Sequence, residues 1–444
     1  MATPAVVQRF RRLYYGWWIV VSNAVISFVG GFHFNGGSVY FLPISESLNL
    51  TRAQLSFVFA AARLEGGIEG PIIGWLVDRI GTRWLIMAGG LCVGAGYILL
   101  GLVVDSYSSL LLVYLILIST GASLGFFAPL MAAVNIWFVR RRTMALSLVN
   151  TFSRGSAFIV TPLLSYMVLS LGWQRASLIV GILVMVVVVA AATLHRRSPE
   201  SMGLRPDGDA EVPASQSAAG ARPARPRRAA QDFTVREALR TQAFWLLTTA
   251  QALRILVQGG LFVHLIPILV WKGMERQEAA NLLGVMAIVS VPAVLLFGWA
   301  GDRYNKKYVI ALGASAGALG LLLLALGTQT WHILLYVFLN GIADASFPVI
   351  VSISGDYFGR RSFATLRGIS QFFTALGVFF TTIFAGWVYD QTESYELAIL
   401  PLTLVAASAV PLFLIMRPPK PPASAAPLDG TAPAPGVPSP PVGH

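Results

Sequence analysis

The sequence predicts an all-α membrane protein, with twelve transmembrane helices arranged as two pseudo-symmetric six-helix bundles. Three observations predict this. Apolar residues make up 56% of the chain and charged residues only 12%, about half the charge of an ordinary soluble domain. The charges cluster and leave apolar runs of roughly 20 residues, the length that crosses ~30 Å of hydrocarbon at ~1.5 Å per residue. One short phrase also occurs twice: Gly74-Trp75-Leu76-Val77-Asp78-Arg79 closes one apolar run, and Gly298-Trp299-Ala300-Gly301-Asp302-Arg303 closes another. A second echo, Trp137-Phe138-Val139-Arg140-Arg141 against Tyr357-Phe358-Gly359-Arg360-Arg361, shares nearly the same offset. Paired echoes mark a duplicated bundle and direct the search for function to the interface between the halves.

The helices are expected near 17–42, 54–77, 84–104, 109–137, 143–170, 174–195, 243–271, 279–300, 308–327, 331–357, 363–389 and 396–416. The first run is too long for a cleavable signal and lacks a small-residue cleavage site, so it is read as the first span. With the N-terminus in the cytoplasm, only Arg52, Arg175, Lys272 and Arg276 fall outside, and Arg63, Arg154 and Arg254 fall within spans. Every other lysine and arginine then lies on the cytoplasmic side, in agreement with the positive-inside rule. The net charge of +12 therefore reports topology, and no nucleic-acid partner is expected. Both termini are placed in the cytoplasm, in a multi-pass protein of the cell inner (plasma) membrane. The single cysteine, Cys92, excludes an intramolecular disulfide.

Four segments follow. Residues 1–195 form the N-terminal six-helix bundle, and 196–242 form a basic cytoplasmic connector expected to be disordered around Pro213–Ala230. Residues 243–417 form the C-terminal bundle, and 418–444 form a Pro-rich tail expected to be disordered. The end of the connector, Phe233 to Arg240, reads as a short interfacial helix carrying arginine toward lipid phosphate.

Chemistry is sought in ionisable groups deep in the spans: Arg63, Glu65 and Glu69 on helix 2, Arg154 on helix 5, Arg254 on helix 7 and Asp344 on helix 10. Each costs roughly 2.5–3.5 kcal/mol in an apolar span, so three basic and three acidic groups imply mutual neutralisation around a polar cavity. Gln251, Arg254 and Gln258 share one face of helix 7. The guanidinium suits a planar carboxylate and the amides suit its remaining polar atoms. The alternative is a structural Arg254–Asp344 salt bridge, with Asn340 on the same face of helix 10 as Asp344. Glu65 and Glu69 are i, i+4 neighbours, so one is expected to hold a proton or to be neutralised by Arg63 or Arg154. That arrangement suits proton coupling; simple helix packing is the other reading. Arg154 either completes an anion site with Arg254 or partners an acid of helix 2. Gly66, Gly70 and Gly74 form a small-residue stripe read as close packing against the opposite half. Gly74, Asp78, Arg79, Gly81 and Arg83, with Gly298, Asp302 and Arg303 in the second copy, are read as a cytoplasmic gate, or else as a topology anchor.

Two six-helix halves, a long connector and the repeated Gly-x-x-x-Asp-Arg turn resemble the major facilitator superfamily, over roughly residues 14–417. A narrower likeness is to bacterial monocarboxylate-transporter-like and oxalate/formate-antiporter-like proteins. It rests on Tyr14-Tyr15-Gly16-Trp17-Trp18, on Pro199-Glu200-x-Met202-Gly203-Leu204-Arg205-Pro206-Asp207-Gly208-Asp209, and on Ala243-Phe244-Trp245-Leu246. The resemblance implies that helices 1, 4, 7 and 10 line a substrate cavity and that helix 5 faces the opposing half. The basic residues that such proteins carry on helices 1, 8 or 11 have no evident counterpart here, since helix 11 holds only Arg367 near its cytoplasmic end.

No enzyme motif, metal-spaced Cys/His set or cofactor signature stands in the chain. The expected function is secondary active transport of a small organic anion, carrying a carboxylate, by alternating access with proton coupling. Arg254 anchors the anion in that reading, with help from Arg63 or Arg154. An efflux carrier for apolar or cationic compounds is the alternative. The working unit is expected to be a monomer.

Overall fold

In a computed structural model, the described residues are 14–50, 52–208, 232–327 and 329–420. The segments expected to be disordered, around 213–230 and along most of the tail, lie outside them. Span 1 comprises Gly16–Phe34 and Gly36–Ser47, span 2 Arg52–Ile80, span 3 Thr82–Leu102, span 4 Tyr107–Trp137, span 5 Arg142–Leu171 and span 6 Trp173–Ala192. Span 7 is Gln242–Trp271, span 8 Arg276–Arg303, span 9 Lys306–Leu326, span 10 Thr330–Phe358, span 11 Phe363–Thr392 and span 12 Glu396–Ile415. Among the described residues nine of these are long and apolar enough to cross a membrane, and span 7 makes ten when its two bent pieces are joined. Spans 2 and 8 have the length, at 29 and 28 residues, but carry charge at both ends, and span 2 also at mid-depth.

Four spans are broken, and they occupy equivalent places in the two repeats. Span 1 breaks at Asn35 and runs on to Ser47, past the expected end. Span 4, expected to be continuous, contains a π-helical stretch at Val113–Ser119 and a second break at Phe126 and Phe127. Span 7 bends by 64° between Phe262 and His264. Span 10, also expected to be continuous, breaks at Ser346. Pro129 follows the break in span 4 as Pro348 follows that in span 10, each at the start of a new helix where its missing N–H costs nothing. Irregular backbone at membrane depth survives only where protein or water satisfies its polar groups, so such breaks direct the search for a cavity to these spans.

Glycines let the halves touch. A Cβ at Gly74 would strike the backbone of Ala364, and one at Gly70 would come within 3.0 Å of the Gly368 carbonyl, both on span 11. Gly66, expected on the same stripe, instead faces Ser123 of its own bundle, and Gly67 takes its place against Ala375. Gly301 of span 8 packs the same way on Thr143 of span 5. The two copies of the turn end differently. Gly81 takes φ +98°, a conformation that side chains resist, whereas Asn305 keeps φ −69° and caps Lys307 through its side chain.

The short helix Val235–Leu239 forms with a Thr234–Glu237 capping box. Its anchoring residues face protein: Phe233 and Ala238 are buried, and the Phe233 ring meets Phe358 edge-on at 5.8 Å. The apolar side of the helix docks on the C-terminal bundle.

Candidate functional site

A cavity of about 750 Å³ opens between broken spans 1 and 4 and spans 2, 5 and 11; spans 7 and 10, expected to line it, are not among its described lining. Span 1 contributes His33 and Asn35, span 2 Arg63 and Gly66, span 4 Ser119, Ser123 and Phe127, and span 11 Arg367, Gly368 and Gln371. Two guanidiniums face it, and no carboxylate is found among its described lining residues. Arg63 is exposed to the space, whereas Arg367 is only 5% exposed. The Arg367 Nη1 donates to Gln251 Oε1 at 2.7 Å, and its Nε and Nη2 are buried with no protein acceptor. Gln251, expected beside Arg254 at the substrate, thus orients Arg367 instead. Counting from the end of span 11 placed Arg367 near the cytoplasm. The cavity extends down to its level, as Ile73 and Met131 in the lining show.

Arg254, the expected anchor, is not among the lining residues. Its Nη1 donates to Gln258 Oε1 and to the Ala343 carbonyl, each at 3.1 Å. Gln258 in turn donates to Asn340 Oδ1 at 3.1 Å and to Asp344 Oδ1. The ion pair of Asp344 is with Arg154, at 3.0 Å, not with Arg254. Arg154 also donates to Asn150 and Ser290. The six residues therefore fall into different groups: Arg154, Asp344, Gln258, Asn340 and Arg254 form one network spanning the two halves, while Arg63 faces the cavity. Arg154 is bound to Asp344, so it does not neutralise the helix 2 acids.

Those acids lie together. The Thr120 hydroxyl stands 2.8 Å from Glu65 Oε1 and 3.1 Å from Glu69 Oε1, and can donate to only one at a time. The second oxygen of each carboxyl is buried without a partner. Thr120 follows the π-helical stretch of span 4, which brings its side chain to this point.

At the basic end the two turn copies cross between the halves. Asp78 accepts from the backbone N–H groups of Ala364 and Thr365 and from the Thr365 hydroxyl, at 3.1, 2.8 and 2.7 Å. Asp302 accepts from the backbone of Thr143 and Met144, each at 3.0 Å. Each aspartate thus caps the first turn of a span in the other half, where unpaired N–H groups and the helix dipole favour an anion. Three of the neighbouring arginines lean on tryptophans: Arg79 on Trp75, Arg83 on Trp84 and Arg303 on Trp299.

Three further groups at this end escaped sequence reasoning. Buried Arg142 pairs with Asp356 across the halves at 2.6 Å, and Lys306 shares that carboxylate. Asp207 accepts from the backbone of Val139, Arg140 and Arg141, and Asp232 from that of Arg360 and Arg361. The two ends of the connector therefore grip the two copies of the Arg-Arg loop. Arg360 also pairs with Glu200 at 2.9 Å. Burial works to raise the Glu200 carboxyl, but hydrogen bonds from its own backbone, Ser198 and Arg360 hold it below its ordinary value. The repeated Trp-Phe-x-Arg-Arg phrase was the available signal; nothing adjacent to it identified the two aspartates.

Comparison with known proteins agrees with this architecture. The family model described as the Major Facilitator Superfamily matches residues 24–275 and 268–441. Monocarboxylate transporter 12-B of Danio rerio is 24% identical over 404 residues, covering 86% of this chain and 82% of that protein. Monocarboxylate transporter 11 of Mus musculus is 26% identical over 375 residues, covering 80% and 77%. Monocarboxylate transporter 2 of Homo sapiens is 25% identical over 398 residues, covering 86% and 81%. The crystal structure of the transporter FucP in the outward conformation superposes with a TM-score of 0.68 at 16% identity, covering 90% of this chain and 98% of that one. That likeness concerns the fold alone. These relatives are transporters and not enzymes. The chain is accordingly a multi-pass membrane transporter of a small-molecule solute, similar to monocarboxylate transporters, and it belongs to the Major Facilitator Superfamily.

Proposed function

We propose that the protein carries small organic anions bearing a carboxylate across the cytoplasmic membrane by alternating access, coupled to protons. The observation that carries this reading is the lining of the cavity: Arg63 and Arg367 face it, and its described wall holds no acid. Such a lining repels cations, which weighs against the efflux of cationic compounds. Arg367 is the better anchor than Arg254, because two of its buried nitrogens have no protein acceptor. A carboxylate would supply two, as a planar fork-to-fork pair. Glu65 and Glu69 suit the coupling role: two carboxyls within reach of one hydroxyl favour a shared proton over two full charges. Their site lies beside the cavity, since Gly66 and Ser119 belong to its wall. The basic end is taken as cytoplasmic and, with Asp78 and Asp302 engaged, as closed. The names of the relatives, monocarboxylate transporters, favour the same substrate class.

The test is uptake of labelled carboxylates into proteoliposomes with and without an imposed pH gradient. Arg367→Gln is expected to weaken carboxylate binding at least ten-fold, since a charge-assisted hydrogen bond contributes about 1.5–3 kcal/mol and 1.4 kcal/mol is a factor of ten. Glu65→Gln/Glu69→Gln is expected to abolish the response to the gradient while leaving exchange of internal for external anion. If Arg367→Gln transports as the parent does, the anchor is wrong. If no carboxylate is carried at all, the reading is wrong.

A further inference from the structure

A second chamber of about 250 Å³ lies against the first and shares Phe34, Phe127 and Met131 with it. Its remaining wall is largely apolar, with Leu130 from span 4, Leu146 and Val149 from span 5, and Pro348 and Val351 from span 10. Only Ser27, Asn150 and Ser153 are polar, and Asn150 already accepts from Arg154. Phe347 also lines this chamber and neighbours two residues of the larger cavity, Phe127 and Arg367. Its ring lies 6.3 Å from that of Phe127, and the Arg367 guanidinium carbon stands 5.8 Å from its centroid. The cationic anchor and the apolar chamber are thus two sides of one aromatic wall.

We propose that the substrate is amphipathic: a monocarboxylate whose apolar body, of six carbons or more, occupies this second chamber while its carboxylate meets Arg367. The proposal rests on the anion reading above and narrows it. A two- or three-carbon anion would leave nearly all of the larger cavity to water and touch none of the smaller one. A cavity of this size is typical of sites that bury most of a drug-sized ligand behind apolar walls with a few placed polar groups. The chamber also lies between the halves, since spans 5 and 10 close it. An apolar tail there is gripped by both bundles at once, so its length bears on the rocking of the halves as well as on affinity.

The experiment measures binding of straight-chain carboxylates, acetate through octanoate, and of phenylacetate and 3-phenylpropanoate, to the full-length protein in lipid nanodiscs. Affinity is expected to rise about four-fold per methylene once the chain reaches the chamber, as burial of each CH₂ predicts. Val149→Phe, which fills the chamber, is expected to reduce the octanoate-to-acetate affinity ratio at least ten-fold. Ser153→Leu is an independent filling variant should the first fail to fold, with the same expectation. Three results would overturn the proposal while leaving the anion reading intact: a flat dependence on chain length, a ratio unchanged in both filling variants, or a length gain that persists in Arg367→Gln, which is partition into lipid. Failure of every carboxylate to bind defeats the anion reading itself.

Discussion

Replacing Asp78 by alanine is expected to open the basic end of the protein and to lower transport at least ten-fold. The carboxylate of Asp78 accepts three hydrogen bonds from the start of span 11, two of them from backbone N–H groups that have no intrahelical partner. Each bond to a charged group is worth about 1.5–3 kcal/mol, and leaving buried N–H groups unpaired adds a desolvation penalty. A loss of about 3–5 kcal/mol in one conformation alone is enough to move a two-state equilibrium from strongly closed to mostly open, since ~5.5 kcal/mol carries it from 1:99 to 99:1. The measurement is labelling of a cysteine placed at Ser147, on the span 5 face opposite Gly298, in a background where Cys92 is serine. Labelling is expected to be slow in the parent and fast in Asp78→Ala. Asp302→Ala is expected to act in the same direction but more weakly, because the cross-half Arg142–Asp356 pair stands beside the Thr143 and Met144 N–H groups that Asp302 caps. Equal, slow labelling in all three would show that the aspartates do not hold this end closed.

The asymmetry follows from the repeats. Each aspartate caps the opposite half, yet only the second copy is reinforced by a buried cross-half pair, Arg142 with Asp356. The connector adds a further tie through Asp207 and Asp232, one on each Arg-Arg loop. Closure of this end is therefore distributed over several contacts.

The sequence displayed the fold because membrane insertion leaves few options: charge spacing sets the spans, and the echo at Gly74 and Gly298 exposes the duplication. The breaks in spans 1, 4, 7 and 10 were legible only in part. Asn35 with Gly36 and Gly37, and Pro129 and Pro348 just after two of the breaks, were the available signals, whereas the π-helical stretch at Val113–Ser119 reads as continuous apolar helix. Depth was legible and azimuth was not. Arg254 and Asp344 do lie near one another in height, but the angular placement of the helices turns Asp344 toward Arg154. Glu65 and Glu69 share a face by spacing alone, as expected, whereas the hydroxyl between them comes from another helix. Arg367 was passed over because residue counting cannot tell how far a cavity descends.

The second large effect is expected at Asp344. This carboxylate is the acidic member of a network that also holds Arg154 and Arg254, and the charges of Asp344 and Arg154 both reach Arg254. Asp344→Asn would leave two guanidiniums facing one another across the halves. Arg154→Gln would still leave Asp344 held by Gln258, with Arg254 one hydrogen bond further on. The two losses are therefore unequal, although they break one ion pair. Breaking a buried pair costs about 3–5 kcal/mol, and the lower end applies here because the side chains are 27% and 26% exposed. Asp344→Asn is expected to reduce transport about 100-fold, and Arg154→Gln about ten-fold. The double variant is expected to recover part of the Asp344→Asn loss, since removing Arg154 relieves the repulsion on Arg254. A coupling of about 1–3 kcal/mol in the double-mutant cycle is the expected result. Strict additivity would place Asp344 and Arg154 in separate roles. Because the pair joins span 5 to span 10, it must part and re-form if those spans rock against each other. A pair that is too stable slows the cycle as surely as one that is broken, which is why Asp344→Glu, with its longer reach to Arg154, is expected to bind substrate normally and turn over slowly.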